Sequence, residues 1–171
     1  MKRRARAGFT LVEAMIVIAI IAIMLAVSAP SLLAGLPGLR VNGAARQVLS
    51  DLRLARTLAV EKGAVAVVTF SGTSTYALTQ DQDGDGTAET IKTVVLGDDY
   101  SNIQFGTNVG GTSDTLAAVT FRTNGSASAG GGVYLRPGGD TDTARNRRVG
   151  LVAATGNLRI EQYNTATSAW E

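Results

Sequence analysis

Between Glu13 and Arg40 the chain carries no charged residue, and the basic residues Lys2, Arg3, Arg4 and Arg6 stand directly before that stretch. An apolar run of ~20 residues is long enough to cross the hydrocarbon core of a bilayer as a helix. Flanking basic residues mark the cytoplasmic end of such a helix, so the pattern predicts one membrane span with the remainder of the chain on the far side. A secretory signal peptide has a similar start but is cut after its apolar run. The small residues Ala26-Val27-Ser28-Ala29 before Pro30 offer such a site, yet that reading leaves Glu13 and the Gly8-Phe9 junction unexplained.

Pro30, Gly35, Pro37 and Gly38 follow the apolar core. Proline lacks a donor N–H and clashes with the preceding turn, costing ~3 kcal/mol inside a helix, so a kink or a locally unwound stretch is expected. From Leu39 to Glu61 the period becomes amphipathic. Val41, Ala45, Val48, Leu52, Ala55 and Ala59 recur at gaps of four and three, with Arg46, Ser50, Arg53 and Thr57 on another face, and Gly63 is a suitable stop. Beyond it, runs rich in β-branched and aromatic residues predict strands at 65–70, 75–80, 91–96, 118–122, 132–136, 147–153 and 158–163. The segments 106–115, 126–131 and 137–146 read as mobile loops. The expected fold class is α+β: a long N-terminal helix, hydrophobic then amphipathic, packed on a C-terminal antiparallel β domain.

Several function classes fall away on composition. At 171 residues there is room for one membrane or stalk element and one compact domain. Without cysteine there are no disulfides, thiolate metal sites or cysteine nucleophiles; without histidine the usual general base and commonest transition-metal ligand are missing. No enzyme is expected, and no cofactor is required. The formal charge of +2 is concentrated at the start: removal of the first eight residues leaves twelve basic against fourteen acidic residues, a net −2. Such a chain has no general attraction for nucleic acid.

A lone acid in an apolar helix is expensive, roughly 2.5 to 3.5 kcal/mol for comparable charges at a helix centre. The cost becomes understandable if the chain is cut after Gly8. The new α-amino group of Phe9 would be a cation near the bilayer, and Glu13 of one subunit could neutralise Phe9 of its neighbour, coupling assembly to loss of the leader. The alternative is a Glu13 at the membrane rim, hydrated and unpaired.

Gly8, Phe9, Glu13 as fifth residue after the junction, and Pro30 at the end of the apolar stretch together resemble the type IV pilin family, including the pseudopilins of type II secretion. The segment 48–63, VLSDLRLARTLAVEKG, narrows the resemblance to the GspH/FimT minor pilins, and 119–125 (VTFRTNG) and 147–152 (RRVGLV) are similar to their C-terminal pattern. The resemblance implies a leader at 1–8 and a transmembrane, filament-core segment at 9–34. It implies an amphipathic half-helix at 35–63 and a β-rich head at 64–171. It further implies cleavage between Gly8 and Phe9 by a prepilin peptidase, N-methylation of Phe9, and Glu13 as the assembly residue. The implied partners are other major and minor (pseudo)pilins, the peptidase and an inner-membrane assembly platform, with the head in the periplasm and the subunit at or near a filament tip. Type II secretion and type IV piliation use the same helix chemistry and stay open.

Two further segments could hold ligands. Asp81, Asp83, Asp85 and Glu89 alternate ahead of glycines, as in the first half of an EF-hand loop, with Thr87 placed as a carbonyl donor to calcium. The twelfth position is Lys92, where that loop needs a glutamate, so an Asp/Gly-rich hairpin tip is the competing reading. Arg145, Arg147, Arg148 and Arg159 form the one basic concentration in the C-terminal half. Some FimT-like pilins bind DNA through a Gly-Arg-x-Arg motif, but here the sequence is Gly156-Asn157-Leu158-Arg159, lacking the first arginine; solvated strand edges are the alternative. Gly130-Gly131-Gly132 and Gly138-Gly139 open no helix and are not phosphate loops. Trp170 stands alone near the end, as a tail contact or an accident.

Overall fold

A computed structural model describes residues 9–107, 109 and 114–171, excluding the side chains of 29–32. The first helix, α1 (Leu11–Lys62), begins where the Thr10 hydroxyl accepts the Glu13 amide at 3.2 Å, a helix N-cap. It ends at Gly63, whose φ of +64° is the left-handed conformation of a glycine C-terminal stop. Contrary to the expectation of an unwound stretch, α1 stays helical through Pro30, Gly35, Pro37 and Gly38. Each proline removes one rung of the hydrogen-bond ladder while its fixed φ is itself helical, so the remaining rungs preserve the helix.

The chain divides into two compact units, residues 1–36 and 37–171. In the described part of the first, the apolar side chains of Phe9, Leu11, Ile16, Ile20 and Leu25 are exposed. The second begins with the amphipathic turns of α1. All six predicted face residues, from Val41 to Ala59, are at most 1% exposed, while Arg46, Ser50, Arg53 and Thr57 face solvent.

That buried face belongs to the core of two antiparallel sheets. The first has the order β3-β2-β1-β5, built from β1 (Ala66–Ser71), β2 (Thr75–Gln80), β3 (Glu89–Val95) and β5 (Ala118–Phe121). A short helix α2 (Leu96–Asp99) leads into the second sheet, ordered β4-β6-β7-β8-β9, with β4 (Ile103–Gly106), β6 (Gly131–Pro137), β7 (Arg147–Val152), β8 (Asn157–Asn164) and β9 (Ala169–Trp170). Val68, Tyr76, Leu78, Val119 and Phe121 enter the core from one sheet, and Val133, Leu135, Val149, Leu151 and Leu158 from the other. Period-two alternation in β1 and β2 puts Val68, Tyr76 and Leu78 on the core-facing side.

All seven predicted strands form, within two residues at each end. β4 and β9 were not anticipated because they are short and take their stability from register with β6 and β8. The predicted loops are more built than expected. Gly106 closes β4, Gly131 opens β6, Ala127 is buried, and Thr143–Arg145 forms a 3₁₀ turn capped by Asp142.

Candidate functional site

The N-terminal segment presents its chemistry on exposed surface. Across Leu11–Ser28, a span long and apolar enough to cross a membrane, no residue is buried within the fold. So large a contiguous apolar surface is foreign to soluble monomers and calls for lipid or partner subunits. Phe9 and Glu13 both lie on it exposed, while Gly8 and the rest of the first eight residues lie outside the described residues. Glu13 occupies the first turn of α1, where a carboxylate also meets the positive end of the helix dipole.

The acidic turn is compact. Asp81, Asp83, Asp85 and Glu89 bring one carboxylate oxygen each within 4.8 Å of one another. The Asp81 carboxylate accepts the amides of Gly84 (2.7 Å) and Gly86 (3.0 Å), Asp83 that of Asp85 (3.2 Å), Asp85 that of Thr87 (2.6 Å), and Glu89 that of Gln82 (2.8 Å). Gly84 and Gly86 take φ of +80° and +89°, which only glycine adopts readily. Hard-cation binding suits such an oxygen set, while the amides by themselves explain the turn's shape. Lys92 plays no part in it: its ammonium reaches Asp51 at 2.7 and 2.9 Å.

That contact belongs to a polar network that sequence reading missed. Asp51, 4% exposed, sits on the core side of α1 and accepts from Lys92, from the Tyr76 hydroxyl at 2.5 Å and from Gln47 at 3.1 Å. Burial, and then the hydrogen bond and charge of Asp51, push the Tyr76 hydroxyl well above its ordinary range, so it stays a donor. Its sequence signal is its place: an acid directly before Leu52, at the border of the buried helical repeat.

The four arginines do not form an open cationic surface. Arg147 is buried, donating to Asn42 Oδ1 (2.6 Å) and to the carbonyls of Ala144 and Asn146, and burial lowers its pKa. Arg148 is clamped between Asp114 and Glu161 and lies 5.7 Å from the Tyr134 ring centroid. Its pKa rises, because Glu161, Tyr134 and Asp114 outweigh the opposing burial. Arg159 pairs with the same Glu161, and Arg145 pairs with Asp140 at 2.7 Å and Asp142 at 3.4 Å. Three of the four arginines thus stand beside carboxylates, Asp114, Glu161, Asp140 and Asp142, and the fourth, Arg147, is buried among neutral acceptors.

Trp170 is a tail contact. Its ring meets those of Tyr134 and Tyr163, each at 5.2 Å, and the Glu171 backbone pairs with Gln162. Gly132 leaves room for Arg148, whose Nε would lie 2.4 Å from a β-carbon there.

The comparisons with known proteins agree with this architecture. The prokaryotic N-terminal methylation motif matches residues 3–29, and the sequence model of the type II transport protein GspH matches residues 44–156. No curated protein sequence matches the chain. Among solved structures, the minor pseudopilin EpsH from the type 2 secretion system of Vibrio cholerae superposes with a TM-score of 0.55 at 15% identity, over 72% of this chain and 97% of that one. The type IV minor pilin FimU of Pseudomonas aeruginosa superposes with a TM-score of 0.51 at 15% identity, over 76% and 96%. At these identities the likeness is one of fold: a long N-terminal helix with antiparallel sheets. With two thirds of its length matched by the family, from the amphipathic helix to the turn before β8, the chain belongs to the type II transport protein GspH family of minor pseudopilins and pilins.

Proposed function

We propose that this chain is a minor pseudopilin that inserts in the bacterial inner membrane with its head in the periplasm, loses residues 1–8 to a prepilin peptidase, and assembles at or near the tip of a type II secretion pseudopilus. The observation that carries this reading is Glu13, a lone acid on the exposed apolar face of Leu11–Ser28, four residues beyond Phe9. With the Phe9 amine freed and methylated, Glu13 of one subunit neutralises the terminus of the next, and the apolar surface passes from lipid to neighbouring helices. The subunit has no catalytic step of its own; its work is to add to the filament and to contact other subunits and the assembly platform.

Mass spectrometry of the native protein tests processing directly, with an N-terminus at Phe9 carrying one methyl group as the expected result. Retention of the first eight residues in assembled material refutes the reading. A second reading, a type IV pilus minor pilin in pilus biogenesis, adhesion or DNA uptake, draws support from the fold shared with FimU. Deleting the gene separates the two. Exported enzymes accumulating in the periplasm favour secretion; lost twitching or competence favours the pilus.

A further inference from the structure

On the solvent side of α1, within the unit 37–171, Arg46, Ser50, Arg53, Thr57 and Val60 follow one another at alternating gaps of four and three, and all are exposed. Two helical turns separate Arg46 from Arg53, so both guanidiniums leave one side of the helix. Only the small side chains of Ser50 and Thr57 stand in line with them, which leaves the seam open to close approach. Among the described residues neither arginine has a hydrogen bond or an ion pair, whereas Arg145, Arg148 and Arg159 all find carboxylates.

The turn between β2 and β3 is the opposite case. Its four carboxylates crowd within 4.8 Å, and none of them is paired with a cation among the described residues. Lys92, the nearest base in sequence, is held by Asp51. The amides that shape the turn are neutral and leave its charge in place, so like charges repel there. One unit thus carries two uncompensated patches of opposite sign, and no ion pair joins them within it. The patches do not overlap. Gln80, the last residue before the turn, donates to the carbonyls of Leu58 and Ala64, beside the end of α1. Ser50, midway between the two arginines, lies eight residues before Leu58, roughly 12 Å along the helix. A contact between unlike patches of two copies is heterologous: each pair keeps one free patch of either sign, so further copies can add.

We infer that the helix seam is a docking surface for a second copy of this chain, whose acidic turn lays the carboxylates of Asp83 and Asp85 against the guanidiniums of Arg46 and Arg53. The inference names a partner for the filament subunit proposed above and rests on that reading. Because the chain has no cysteine, paired single-cysteine copies test the contact cleanly. Two differently tagged full chains, one carrying Ser50→Cys and the other Ala88→Cys, are expressed together in the bacterial membrane and oxidised. Expected is a disulfide-linked pair bearing both tags, at a yield about tenfold above that of Ser50→Cys with itself. Adding Arg46→Glu and Arg53→Glu to the first copy should lower that yield about tenfold, while Arg46→Lys and Arg53→Lys, which keep the charge, preserve most of it. In the second copy, Asp83→Asn and Asp85→Asn retain an oxygen for the amides of Asp85 and Thr87 but lose the charge, and should lower the yield in the same way. Absence of the mixed pair, or a yield indifferent to charge on either copy, overturns the inference. Mass spectrometry at Phe9 reports the filament reading separately: copies cut at Phe9 that do not cross-link sink the contact alone, and uncut copies that do cross-link keep the contact and remove the filament.

Discussion

The Glu13 amide donates to the Thr10 hydroxyl at 3.2 Å, so the residue proposed to register subunits also stands in the first turn of the helix that carries it. Thr10 and Glu13 have the spacing of a capping box. Cap and charge are separable, since the bond uses the backbone of Glu13. Thr10→Ala is expected to cost about 1 kcal/mol of helix-start stability and to leave incorporation into filaments largely intact. Glu13→Ala keeps the cap and is expected to abolish incorporation while membrane insertion persists. Quantifying each variant in sheared filaments and membrane fractions decides; normal incorporation of Glu13→Ala would remove the ion-pair mechanism.

Lys92 and Asp51 tie β3 to the helix. Lys92→Met leaves Asp51 buried with only neutral donors, Tyr76 and Gln47, and is expected to destabilise the protein by about 3 kcal/mol. Asp51→Asn should cost less, because Lys92 is more than one-third exposed and can turn to water. Chemical denaturation of both variants measures the asymmetry; equal losses would show that Asp51 is not the critical partner.

Asp114 should make the protein sensitive to acid. Burial opposes its ionisation, but the Tyr134 hydroxyl and Arg148 outweigh that and hold its pKa below the ordinary 3.8. A depressed carboxylate contributes stability above its unfolded value and loses it as pH falls through the lower folded one. Asp114→Asn is therefore expected to be less stable than wild type at pH 7, with the gap closing below pH ~4. A gap independent of pH from 7 to 2 would show that the Asp114 charge contributes nothing.

For the acidic turn the expected outcome is a rise in melting temperature with millimolar calcium, because a cation relieves the mutual repulsion of four carboxylates within 4.8 Å. Asp83→Asn should reduce that rise, since Asp83 contributes a carboxylate while supporting one amide of the turn. An unchanged melting temperature in calcium removes the site.

Local signals in the chain made much of this protein legible. The spacing of Val41, Ala45, Val48, Leu52, Ala55 and Ala59 set the buried face of α1, and alternation with turn residues located seven strands, because both depend on neighbours a few residues apart. The apolar run and Glu13 likewise stand out by composition. Tertiary structure decided the rest. Lys92 left the acidic loop for Asp51, 41 positions away; Arg148 closed on Asp114 and Glu161; Trp170 found Tyr134 and Tyr163. Long charged and aromatic side chains take partners across sheet register, which no local period records, so arginines clustered in sequence found separate partners in space: carboxylates for Arg145, Arg148 and Arg159, neutral acceptors for Arg147.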